Sequence, residues 1–135
     1  PLKRLLDVPG AYQRFYRGAP AYTSDIASIN QFDAYWVDGP PTNVASINPN
    51  PAPGRSIQLH AGWNNFTYTG TARAVGDALS TISEKYQQVL QYDNATSSWL
   101  SYLPGQPRYL NDFGGLFTLK VYWVLVSEDV TLVMN

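Results

Sequence analysis

The feature that most constrains this chain is an internal repeat. Sliding the sequence along itself by 87 positions aligns residues 12–37 with residues 99–124 without a gap. Seven pairs are identical: Gly18/Gly105, Pro20/Pro107, Tyr22/Tyr109, Asp25/Asp112, Tyr35/Tyr122, Trp36/Trp123 and Val37/Val124. Composition alone would give roughly one or two. Tyr12/Trp99, Phe15/Tyr102, Ile26/Phe113, Ile29/Leu116 and Phe32/Leu119 are apolar in both copies. Turn positions and apolar positions therefore recur together, the pattern of a duplicated structural unit. Past Val37 and Val124 the segments around Val44 and Val130 also correspond after a one-residue slip. Each copy is expected to close in a two-strand hairpin.

The second copy is the fuller one. Stretches 57–60 and 62–69 read as strands, rich in aromatic residues and Thr. Val75, Ala78, Leu79 and Ile82 follow at helical spacing after Thr71, a candidate cap. Strands are expected over 86–92 and 98–102 around the loop Asp93-Asn94-Ala95-Thr96-Ser97. The turn Pro104-Gly105-Gln106-Pro107 leads to a short helical turn over 111–116 capped by Asn111, and strands at 121–127 and 130–134 flank the polar turn Glu128-Asp129. The first copy begins near the hairpin, with strands over 2–6 and 11–16.

The expected fold class is α+β, mainly antiparallel β with one helix and short helical turns. The two repeat halves are expected to pack pseudo-symmetrically in one compact domain, because ~65 residues bury too little surface alone. The boundaries read as a truncated repeat at 1–47, a Pro-rich linker or crossover at 48–55 that no helix or central strand can include, and the fuller repeat at 56–135.

Charge narrows the partners. Nine basic and ten acidic residues give a net charge of −1, and the basic ones are scattered, so no stripe follows a phosphate backbone and no nucleic acid is expected. No apolar run reaches the ~20 residues of a membrane span, so no membrane insertion is expected. Cysteine is absent, which excludes disulfides and thiolate chemistry. Few charges, abundant Tyr, Trp, Thr, Ser and Asn, and Pro-rich connections fit an exported prokaryotic surface protein.

With Gly62-Trp63-Asn64, the helix over 75–82, Tyr92-Asp93, the stretch 99–104, Asn111-Asp112 and Tyr122-Trp123-Val124 in that order, the second copy resembles Trp-rich repeat modules. Such modules occur in large exported proteins of bacteria and archaea. The resemblance covers residues 57–134 and, more faintly, 12–47. It implies an extracellular or cell-surface setting and assigns no catalytic or ligand-binding residue.

No catalytic constellation is visible. His60 is the only histidine, without G-x-S-x-G or H-E-x-x-H around it, so it reads as a structural or surface residue. No metal site and no cofactor are expected. The repeat-related Asp25 and Asp112 could form the carboxylate pair of a hydrolase. Their place at the start of short helical turns favours backbone capping instead. Trp36 and Trp123, within apolar strands of both copies, read as core anchors. Trp63, Trp99, Tyr102 and Tyr109 are the candidates for ligand contact. The leading expectation is a non-catalytic extracellular accessory, spacer or adhesion module. The alternative is a carbohydrate-binding module using exposed Trp and Tyr, and the third is the Asp25/Asp112 hydrolase. Glycans or other surface proteins are the expected partners, and the oligomeric state is left open.

Overall fold

A computed structural model describes residues 2–5, 12–29, 33–38 and 56–135. Val44 and the Pro-rich stretch 39–55 lie outside the described residues. The chain divides into two compact units, Pro1–Pro53 and Gly54–Asn135. Both consist mostly of antiparallel strands, with one short α-helix and three 3-10 turns among the described residues. The fold is α+β, mainly antiparallel β.

The first unit holds β1 (Leu2–Leu5), β2 (Tyr12–Phe15), a 3-10 turn (Ala21–Thr23) and β3 (Tyr35–Val37). They form one sheet in the order β2-β1-β3. The second unit runs β4 (Ser56–Leu59), β5 (Gly62–Thr67), β6 (Arg73–Ala74), α1 (Val75–Ala78), a 3-10 turn (Ser80–Ile82), β7 (Tyr86–Asp93) and β8 (Ser98–Tyr102). It continues with a 3-10 turn (Arg108–Leu110), β9 (Gly115–Leu116), β10 (Val121–Val126) and β11 (Val130–Val133). Its principal sheet has the order β5-β10-β7-β8, and β11 pairs with β4, β6 with β9.

Strand 10 explains where the core sits. Its six residues are almost all apolar, but successive side chains point to opposite faces. Tyr122, Val124 and Val126 are buried, while Val121, Trp123 and Leu125 are half-exposed. On the buried side lie Phe66 of β5, Val89 of β7 and the stripe Val75, Ala78, Leu79 and Ile82, joined by Leu59, Leu132 and Met134. Each full-sized aliphatic or Phe side chain buried this way contributes about 1.5–3 kcal/mol. Trp36 and Trp123 are therefore not the core anchors that their recurrence predicts. Trp123 stands in the opposite phase to Tyr122, and Trp36 is exposed. Tyr122 takes the anchor position, and its hydroxyl accepts the Phe117 N–H at 2.9 Å.

Three local expectations are corrected. The helical stripe is buried as a set, but only Val75–Ala78 is α-helical; Gly76 weakens the helix from within, and the chain tightens into the 3-10 turn at Ser80. Thr71 does not cap it: the N-cap is Ala74, and Thr71 Oγ1 donates to the Asn135 carbonyl instead. The short turn after Gly105 is Arg108–Leu110, ahead of Asn111, because Pro107 presets its entry with φ −53°.

The expected terminal hairpin is also absent, since β10 pairs with β5 and β7 while β11 pairs with β4. The four strands make a bent ribbon. Pairing runs from Val121↔Thr67 to Val126↔Gly62 and resumes at Val130↔Leu59. At the bend, Ser127 donates from N and Oγ to the Lys85 carbonyl. Asp129 accepts the Ala61 N–H at 2.9 Å and faces His60 Nδ1 at 3.3 Å. A strand that turns such a corner leaves one sheet for another.

The offset of 87 reappears in the backbone. Leu2↔Phe15, Lys3↔Arg14, Arg4↔Gln13 and Leu5↔Tyr12 correspond to Val89↔Tyr102, Leu90↔Ser101, Gln91↔Leu100 and Tyr92↔Trp99. Lys3↔Trp36 and Leu2↔Val37 correspond to Trp123↔Leu90 and Val124↔Val89. Gly18 and Gly105 have φ of 76° and 74°, a left-handed conformation that side chains disfavour. Thr23 N donates to the Pro20 carbonyl at 2.9 Å and Leu110 N to that of Pro107 at 3.0 Å. Tyr16 N donates to Ser24 Oγ, and Leu103 N to Asn111 Oδ1.

Candidate binding face

One side of the β5-β10-β7-β8 sheet carries both exposed tryptophans of the second unit, Trp63 and Trp99. Register and alternation place Trp63, Asn65 and Thr67 of β5 there, with Val121, Trp123 and Leu125 of β10, Gln88, Leu90 and Tyr92 of β7, and Trp99 and Ser101 of β8. Trp99 and Trp123 meet edge-to-face with ring centroids 4.9 Å apart at 82°. Tyr92 meets Trp99 at 5.2 Å and 65°. Such contacts fix ring orientation, which is the first requirement of a stacking platform.

Polar groups frame these rings. Gln88 Nε2 donates to Ser101 Oγ at 2.9 Å, and Asn65 stands opposite Trp123. At the end of β7, Asp93 orders its loop by accepting from Thr96 Oγ1 at 2.7 Å and Ala95 N at 3.0 Å. These bonds, the Thr96 hydroxyl first, lower the Asp93 carboxyl from its ordinary pKa, with a smaller pull from Lys120.

The four sequence-derived ligand residues separate. Trp63 and Trp99 share the aromatic face and are 44% and 49% exposed. They stand on opposite edge strands, about 14 Å apart at the usual strand spacing, with Trp123 and the Leu residues between them. Tyr102 faces the other way: its ring lies 6.0 Å from Phe113 and its hydroxyl bonds that of Tyr86. Burial first, and then Tyr102, pushes the Tyr86 phenol up to about 12. Tyr109 projects from the turn Arg108–Leu110, exposed like its counterpart Tyr22. Trp123 and Tyr92 belong to the face but escape a sequence reading. Their signal was the polar phase of neighbouring strands: Asn65 and Thr67 share the phase of Trp63, and Ser101 that of Trp99.

Asp112 is committed to the backbone. Its Oδ2 accepts the Ser101 N–H at 2.8 Å, and its own N–H donates to the Ser101 carbonyl at 2.9 Å. Asp25 repeats the main-chain part, donating to the Arg14 carbonyl at 2.7 Å. Among the described residues no three His, Cys, Asp or Glu side chains gather as a metal site, and no helix is long and apolar enough to cross a membrane. A shallow depression of about 580 Å³ lies among Thr71, Ala72, Arg73, Asp77 and Ser80, lined by none of the tryptophans.

No family model matches the chain, and neither does any curated protein or solved structure.

Proposed function

We propose that this chain is a non-catalytic extracellular module that binds an extended carbohydrate through the aromatic face of its second unit. The observation that carries the reading is the pair of half-exposed indoles, Trp63 and Trp99, on one face, with Trp99 held rigidly against Trp123. Contiguous exposed apolar surface rimmed by polar groups is the surface pattern of a binding site. A pyranose ring offers an apolar face to an indole and hydroxyls to groups such as Gln88, Ser101 and Asn65. Because Trp63 and Trp99 are three strands apart, one sugar ring cannot span both, which favours an oligosaccharide over a monosaccharide. The bonds of Asp112 to Ser101 engage its carboxylate with the β8 backbone instead of the expected helical cap, which weighs against a catalytic role for it.

The matched strand registers support a second element of this reading, that the two units are copies of one module, as in a spacer built from repeats. Its resemblance to Trp-rich repeats of exported proteins agrees with an extracellular setting.

A glycan array with the purified chain tests the binding. The expected result is retention of particular oligosaccharides, lost in Trp99→Ala and weakened in Trp63→Ala, with the folded state of both variants preserved. Absence of any glycan signal, or undiminished retention by Trp99→Ala, rejects the proposal.

A further inference from the structure

Two stretches of the sequence have the form Asn-x-Thr: Asn65-Phe66-Thr67 and Asn94-Ala95-Thr96. That spacing is the acceptor pattern for an N-linked glycan, in which a hydroxyl two residues on positions the asparagine amide for transfer. The fold sets the two apart. Asn65 and Thr67 are held in β5, opposite Trp123 and Val121 of β10, and the Phe66 between them is 1% exposed and paired with Tyr122. An enzyme that grips consecutive residues of backbone can reach this triplet only by stripping β5 from the sheet and drawing Phe66 out of the core.

Asn94-Ala95-Thr96 has no such tie. It fills the turn between β7 and β8, beyond the last rung Asp93↔Ser98, and all three residues are exposed. The bonds that shape this turn stay within it. Ala95 N and Thr96 Oγ1 engage the Asp93 carboxylate, and Thr96 Oγ1 lies 2.7 Å from Ser98 Oγ. The Asn94 amide takes part in none of them. Hydrogen bonds at an exposed site are largely offset by bonds to water, so the turn can open and offer the Thr96 hydroxyl without breaking a ladder. Tyr92 stands two positions ahead of Asn94, its ring held against Trp99 at 5.2 Å. An aromatic ring so placed offers an apolar face to a pyranose linked at Asn94.

We propose that Asn94 is an acceptor for N-linked glycosylation and that the fold protects Asn65. The co-reactant is an oligosaccharide carried on a polyprenyl diphosphate. Asn94 Nδ2 attacks C1 of the first sugar, a C–N bond forms, and the C1–O bond to the diphosphate breaks. The bonding pair leaves with the lipid diphosphate, and Nδ2 gives up one of its two protons to a base of the transferase. The inference rests on the reading of the chain as exported, the setting in which this pattern is modified, and not on carbohydrate binding by the aromatic face.

The test incubates the folded, purified chain with a single-subunit oligosaccharyltransferase and its lipid-linked oligosaccharide, with the enzyme's own acceptor peptide as a control. Intact mass and mapping of the proteolysed product are read. The expected result is the addition of one oligosaccharide, on Asn94 alone. Asn94→Gln, at an exposed position where folding is not at stake, should abolish transfer. Thr96→Ala should abolish it too, and Thr96→Ser, which restores a hydroxyl, should bring it back. Synthetic peptides of residues 61–70 and 90–98 should both be glycosylated, since neither is folded. An unmodified chain beside a modified control peptide overturns the proposal, as does a glycan on Asn65 of the folded chain. A 61–70 peptide that is refused overturns the protection by the fold. Retention on a glycan array is a separate readout, and its failure leaves each of these outcomes unchanged.

Discussion

Asp112 grips Ser101 from both sides, its carboxylate on the Ser101 N–H and its N–H on the Ser101 carbonyl. The outer edge of β8 is thereby tied to the segment after the Arg108–Leu110 turn. Asp112→Ala removes the charged acceptor and should cost about 1–3 kcal/mol. Asp25→Ala keeps the main-chain bond to Arg14 and should cost less than about 1 kcal/mol. Urea unfolding of the two variants, with unchanged m-values, checks the difference.

The reversed phase of β10 gives a second expectation. Tyr122→Ala should cost about 3–5 kcal/mol by leaving a large cavity. Trp99→Ala should cost about 0.5–1.5 kcal/mol, the value of an aromatic pair at a half-exposed site. Tyr122→Phe should fall between, at about 1–3 kcal/mol, because the Phe117 N–H loses its acceptor. Melting temperatures ordered otherwise would put the indoles back in the core.

Alkali should act through Tyr86. Its phenol ionises near 10.0 when unfolded and at about 12 in the fold. The unfolded chain therefore loses this proton first, so the stability from the neutral phenol is whole below about 10 and lost as pH rises toward 12. Thermal melts across that window should decline, and Tyr86→Phe should flatten the decline.

Acid should loosen the ribbon bend. The Ala61 N–H, and then His60, lower the Asp129 carboxyl from its ordinary value of 3.8. A lowered carboxyl stabilises the fold above the unfolded pKa, and the contribution fades as pH falls through the depressed value. Exchange of the Ala61 amide should accelerate below about pH 4 beyond the intrinsic rate, and Asp129→Ala should show fast exchange at neutral pH as well.

Much of this architecture was legible because each signal was local. The strands Ser98–Tyr102 and Gly62–Thr67 follow from alternation bounded by turn residues, and the loop after Asp93 from its Asp-Asn-Ala-Thr-Ser run. The phase of β10 was not legible. Val-Tyr-Trp-Val-Leu-Val is apolar throughout, so alternation alone cannot say which half faces inward. That choice is made by partners distant in sequence, Phe66 opposite Tyr122 and Val89 opposite Val124. The same reason hid the bend at Ser127, where a polar turn resembles a hairpin until β4 and β5 are seen to pair on either side of it. For the candidate site, Trp63 and Trp99 were legible as aromatics at strand ends. Tyr102 was misplaced because its face depends on the register with Val89.

The bent ribbon also sets a schedule for folding. Gly62 waits for Val126, and Leu59 for Val130, so β5 gains its ladder only once the residues through Val126 have been synthesised, and β4 only after Val133. Ladders with such separations form late and slowly compared with local hairpins. During translation the β7–β8 hairpin can close on its own, while the aromatic strand carrying Trp63 and Phe66 stays unpaired and sticky. A stalled or nicked chain lacking β10 and β11 should therefore aggregate through β5.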